Sequence, residues 1–200
     1  MKIITTLFFL IITTSLYAAQ NKENISLKSS VTFNILCSKC HEGQCSGRLT
    51  FDTGSEVASN HIKRYSNDEN ISKNEIREYF TLLNYMKKEC LLLMPDDTKY
   101  TNSDLSSFAI PSHKGYFIPL GILKKGNYSL YIKTKNNIPF RIELISSQFD
   151  SSLDRSVCAC VKKREFEFTI DKDTNYFLRI KSRKPLNLKS LEIKISKTKP

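Results

Sequence analysis

The stretch Phe166-Glu167-Phe168-Thr169-Ile170 alternates apolar and polar residues with a period of two. A β-strand turns successive side chains to opposite faces, so this run predicts a strand with one buried and one wet face. Phe140-Arg141-Ile142-Glu143-Leu144 and Leu191-Glu192-Ile193-Lys194-Ile195 alternate as cleanly. The runs at 116–120, 128–132, 157–161 and 176–180 are also rich in β-branched and aromatic residues, and polar turns such as Lys124-Lys125-Gly126-Asn127 separate several of them. About seven such strands predict an antiparallel β-sandwich, jelly-roll or Ig-like, over residues 105–200.

Upstream the pattern changes. Ser72-Lys73-Asn74-Glu75 is a capping-box signature, and Ile76, Tyr79, Phe80, Leu83 and Met86 follow at helical spacing. A helix is predicted over 73–89, and a shorter one over 55–65 with Val57 and Ile62 turned inward. The polar, turn-rich segments at 94–97 and 102–104 mark a boundary. Residues 20–99 carry 11 basic and 11 acidic side chains, whereas residues 100–200 carry 19 basic and 9 acidic, a net +10. The expected fold class is therefore α + β and multidomain: a small all-α domain over 20–98, then the sandwich. Two or three short helices bury too little apolar surface to be stable alone, so the first domain needs a cofactor, a metal or a disulfide.

The chain opens Met1-Lys2, continues without charge through Leu16, and reaches Tyr17-Ala18-Ala19-Gln20. This order predicts a secretory signal peptide over 1–19 and export, with the bacterial periplasm as the expected compartment. Disulfides persist there. Three sequons, at Asn24, Asn70 and Asn127, are no more than this Asn- and Ser-rich composition gives by chance.

Cys37-Ser38-Lys39-Cys40-His41 reads C-x-x-C-H, the pattern of covalent haem attachment. Two thiols must add to the two vinyl groups of one porphyrin, and the adjacent imidazole must reach the iron. With this composition, random placement yields the pattern about 0.003 times per chain, so chance is a poor explanation. Together with the helix from Ser72 to Cys90, residues 31–95 resemble a monohaem c-type cytochrome domain. The resemblance implies one covalent haem c, thioether bonds from Cys37 and Cys40, an axial bond from His41 to the iron, and one-electron transfer. No Met lies between His41 and Tyr85, which departs from ordinary members of that family. His61 is the first candidate for the sixth ligand, Met94 the second, and an open iron face the third; Met86 falls on the apolar side of its helix. Cys45 and Cys90 are expected to form a disulfide. Cys158 and Cys160, two apart in a strand pattern, could bridge each other, bridge elsewhere or stay reduced. A zinc site from Cys37, Cys40, His41 and Cys45 is disfavoured, because structural zinc sites pair distant knuckles.

These residues lead to an exported electron carrier whose basic sandwich docks it to an acidic redox partner protein, with an anionic membrane surface or a glycan as further contacts. Nucleic acid is not expected in that compartment. No hydrolytic constellation is visible, and His113 stands isolated in a loop sequence. The rival reading, from a different class, is a secreted binding module without haem. In it Cys37, Cys40, Cys45 and Cys90 form two disulfides, and the sandwich binds a glycan or an anionic surface. A haem enzyme with an open distal face is a third.

Overall fold

The computed structural model describes residues 25–42, 55–66, 71–95, 98–159 and 163–196. The expected signal peptide lies outside them. Among the described residues are helices α1 (Leu27–Leu36), α2 (Ser38–His41), α3 (Ser55–Ser66) and α4 (Lys73–Glu89), and a 3-10 turn at Leu105–Phe108. Seven strands follow: β1 (Gly115–Leu123), β2 (Gly126–Thr134), β3 (Phe140–Ser146), β4 (Ser151–Val157), β5 (Lys163–Ile170), β6 (Thr174–Ser182) and β7 (Leu188–Ile195).

The strands form two sheets, β1-β6-β3-β4 and β5-β2-β7, and every pairing is antiparallel. Their inner faces meet in a core that includes Ile118, Leu130, Ile132, Ile142, Leu144, Ile170, Leu178 and Ile180, all fully buried. The predicted β-sandwich is therefore present, with helices laid on one of its sheets. Pro119 sits in β1, at the edge of the four-stranded sheet, where a missing N–H donor is tolerated.

The sequence expectation fails at one strand. Of the run at 157–161, Val157 closes β4, the polar segment Ser151-Ser152-Leu153-Asp154-Arg155-Ser156-Val157, Cys158 and Ala159 lie beyond that strand, and 160–161 lie outside the described residues. As the edge of the four-stranded sheet, β4 buries only Leu153, so apolar patterning does not reveal it.

The helical layer explains why β6 is buried on both faces from Tyr176 to Ile180. Helix α1 lies against β1 and β6, with Val31 and Ile35 joining the sandwich core while Phe33 turns to a second apolar cluster. That second cluster includes Ile62, Ile76, Tyr79, Leu82 and Met86 from α3 and α4. Helix α1 is thus buried from Ser29 to Ile35 without an amphipathic stripe, as expected for a helix covered on every side. Its N-cap is Ser26, whose hydroxyl accepts from Ser29 N–H and donates to Glu78 of α4 (2.6 Å). Helix α4 carries the predicted capping box: Ser72 Oγ accepts from Glu75 N–H, and the Glu75 carboxylate accepts from Ser72 N–H.

Gly115 lets α1 approach the sheet, because a Cβ there would stand 2.6 Å from Ile35 Cγ2. Gly115→Ala is expected to lower stability by about 1–3 kcal/mol through overpacking. A shift of the denaturant midpoint to lower concentration, with the slope unchanged, checks it.

Candidate functional site

Helix α1 ends at Cys37, and α2 begins at Ser38, so the five-residue motif is a helical corner. Cys40 N–H and His41 N–H both donate to Cys37 C=O (3.1 and 3.3 Å). This local winding turns Cys37, Cys40 and His41 toward one cavity of about 490 Å³. Phe33 and Leu36 complete the motif's wall. Helix α3 supplies Val57, Ala58, His61, Ile62 and Tyr65, and α4 supplies Tyr79, Phe80 and Leu83. The volume falls in the range of cofactor and ligand pockets, about 300–1,000 Å³.

Both histidines line this cavity with their rings edge-on to one another. Their ring centroids are 6.3 Å apart with an interplanar angle of 73°. An imidazole nitrogen binds a first-row metal at about 2.0 Å, with the ring centroid about 1.1 Å behind it, so two imidazoles across one ion have centroids about 6 Å apart. Tyr65 packs on His61 at 4.7 Å between centroids. The cavity walls also leave apolar surface uncovered: Val57 is 70 % exposed and Tyr65 55 %. Val57 therefore does not point into a protein core as expected, whereas Ile62 does. These residues fit a flat, apolar group with a metal at its centre, which would cover Val57 and Tyr65. Among the described residues no group of three or more His, Cys, Asp or Glu is placed to hold a bare ion.

Met94 does not line the cavity. It is buried in the sandwich-side core, where its sulfur lies 3.9 Å from Asn34 Nδ2. Met86 is core, as read from its spacing. Cys37 and Cys40 are thiols, and Cys45, the expected disulfide partner of Cys90, lies outside the described residues. Cys90 ends α4 in the left-handed region at φ 53°. Cys158 is disulfide-bonded, while Cys160 also lies outside the described residues. Burial, with the neighbouring Cys40, pushes the Cys37 thiol up to about 12 against the pull of Lys181. Cys37 therefore stays protonated at neutral pH. His113 sits half-buried in the turn before β1, remote in fold from the cavity.

Sequence reasoning missed what lies beneath the motif. Glu143 of β3 and Arg179 of β6 are register partners on the sheet face covered by the helices, and Arg179 is 1 % exposed. The alternation of β3 predicted Glu143 on a wet face; the helical layer buries it. Arg179 Nη1 donates to Glu143 Oε2 (3.2 Å), and Arg179 Nη2 donates to Ser38 Oγ (2.8 Å). Ser38 in turn donates to Asn34 C=O (2.9 Å), and Lys39 Nζ donates to Glu143 Oε1. Both residues between the motif's cysteines are thus tied to the sheet. Burial works to raise the Glu143 carboxyl, but the Lys39 hydrogen bond and the Arg179 charge outweigh it and hold the group below its ordinary value. Burial and the Arg179 charge lower the Lys181 ammonium.

No family model and no curated protein matches this chain. Three solved structures share a partial likeness. A CBM4 structure is 13 % identical with a TM-score of 0.31, over 44 % of this chain and 80 % of its own. CBM35 from Cellvibrio japonicus Abf62 is 12 % identical with a TM-score of 0.30, over 44 % and 75 %. The GH115 4-O-methyl-α-glucuronidase BtGH115A is 11 % identical with a TM-score of 0.34, over 71 % and 25 %. At these scores the likeness carries no functional argument.

A depressed carboxyl stabilises the fold above its unfolded pKa, and that stability is lost as pH falls through the lower, folded value. Breaking a buried pair by removing one partner costs about 3–5 kcal/mol. The stability gap between wild type and Glu143→Gln should be widest above the ordinary carboxyl value of 4.5 and close below it. Denaturation midpoints measured from pH 3 to 7, about the range over which a carboxylate titrates, check this.

Proposed function

We propose that the cavity holds one covalently attached haem c, ligated by His41 and His61, and that the protein is an exported electron carrier. The observation that carries this reading is the convergence of Cys37, Cys40, His41 and His61 on one apolar cavity, with the two imidazoles at the spacing a shared iron requires. His61 lies 20 residues beyond His41, on a different helix.

Haem, when bound, supplies a reversible one-electron change at its iron. The chain supplies the rest. Cys37 and Cys40 would hold the group through thioether bonds, each S–H adding across one vinyl C=C with nothing leaving. His41 and His61 each offer one ring nitrogen, and ligation by two imidazoles favours a lower potential than a thioether ligand would. Phe33, Ile62, Tyr79 and Leu83 exclude water from the porphyrin faces, while the exposed α3 edge leaves a route for electrons. Export follows from the N-terminal segment's sequence and suits thioether formation, which this reading sets outside the cytoplasm.

A second reading assigns a glycan or an anionic surface to the basic sandwich, which carries most of the chain's positive charge. It uses a different part of the molecule and is compatible with the first. Its two-disulfide form does not agree with Cys37 and Cys40 as thiols.

Expression of the full chain with a c-type cytochrome maturation system should yield haem that survives denaturation, read as a pyridine haemochrome spectrum. Cys37→Ala/Cys40→Ala should retain none. His61→Ala should convert a low-spin spectrum to a high-spin one, while Met94→Ala leaves it unchanged. Absence of covalent haem from the wild-type chain would sink the reading. Binding of oligosaccharides or of anionic vesicles to the same preparation tests the second.

A further inference from the structure

We infer that the β-sandwich sets the reduction potential of the haem through the buried Arg179–Glu143 pair, acting as positioning and tuning residues beneath the motif. This rests on the haem reading above. The two residues belong to β6 and β3, more than a hundred positions from Cys37 in sequence, yet they reach both residues between the cysteines. Arg179 donates to Ser38 Oγ at 2.8 Å, and Glu143 accepts from Lys39 Nζ. Ser38 and Lys39 join the two thioether positions, so their placement fixes where both attachments and His41 stand.

The charges are as telling as the contacts. Arg179, Lys39 and Lys181 face Glu143 and Glu42, with Arg179 Nη1 3.8 Å from Glu42 Oε2. Arg141 also approaches Glu143 at 3.5 Å, but Asp154 offsets its charge. Among the described residues the cluster is formally one unit positive. Arg179 and Glu143 are 1 % and 7 % exposed at their side chains, so salt and water screen them little. Positive charge close to an iron disfavours its oxidised, more positive form and raises the potential; negative charge lowers it. A pair whose only role is to hold the sheet to the helices has no reason to act with opposite signs on the two partners.

The test measures midpoint potentials by spectroelectrochemical titration of the matured full-length protein. Arg179→Gln should move the potential to more negative values, and Glu143→Gln to more positive ones. Arg179→Lys keeps the charge and should hold the wild-type potential. The double variant Arg179→Met/Glu143→Met removes both charges together, a change that buried pairs tolerate without loss of fold. Its potential should lie between those of the two single variants. Loaded variants with unmoved potentials, single variants that shift in the same direction, or a double variant that shifts as far as either single one would overturn the inference alone. A wild-type chain without covalent haem would overturn the haem reading and this one with it.

Discussion

Arg179 meets Glu143 on the outer face of the four-stranded sheet, under α1 and α2. Two charges in such a place are costly to desolvate, and their mutual contact and further hydrogen bonds offset that cost: Glu143 accepts from Arg179 and Lys39, and Arg179 also reaches Ser38. The pair works only if the motif's helical corner lies on the sheet, and the corner is held there by the pair. The position of the cavity, its thiols and His41 depends on that joint, since α1 runs straight from the sheet contact at Ile35 into Cys37.

From this joint the molecule divides its labour. The inner faces of the sheets build most of one core, which Val31 and Ile35 of α1 join. The helices pack on one sheet through α1, yet leave a cavity of about 490 Å³ and exposed apolar side chains on α3. An apolar wall with Val57 and Tyr65 in water is an incomplete core, and a porphyrin is the kind of surface that completes it. A small helical layer with a hollow interior is unfavourable on its own; fixed to a sandwich, it shares that sandwich's core through α1, and a bound cofactor would bury the remaining apolar wall.

Much of this was legible. The capping box at Ser72 and the helical spacing behind it fixed α4, because local propensity and apolar period agree there. Six of the seven strands coincide with runs of β-branched and aromatic residues. The spacing of the motif and the position of His61 are readable locally, but only the structure puts His61 in the cavity with the motif and Met94 in the core. Helix α1 was invisible, since Leu27-Lys28-Ser29-Ser30-Val31-Thr32-Phe33-Asn34-Ile35-Leu36 is covered on all sides and has no stripe to detect. Strand β4 was hidden by its polarity.

The sequence by itself determined the elements with a local cause: strands whose side chains alternate, a helix whose cap and period lie within a few residues, and a cysteine–histidine pattern whose spacing is its chemistry. Only the tertiary structure decided that Glu143, in a strand that alternates like a wet one, is buried, and that Arg179 stands opposite it. Only the tertiary structure brought His61 to within 6.3 Å of His41. The reason is the same in each case. A side chain's environment is set by which element covers it, and that cover comes from residues remote in sequence, whose arrival no local pattern encodes.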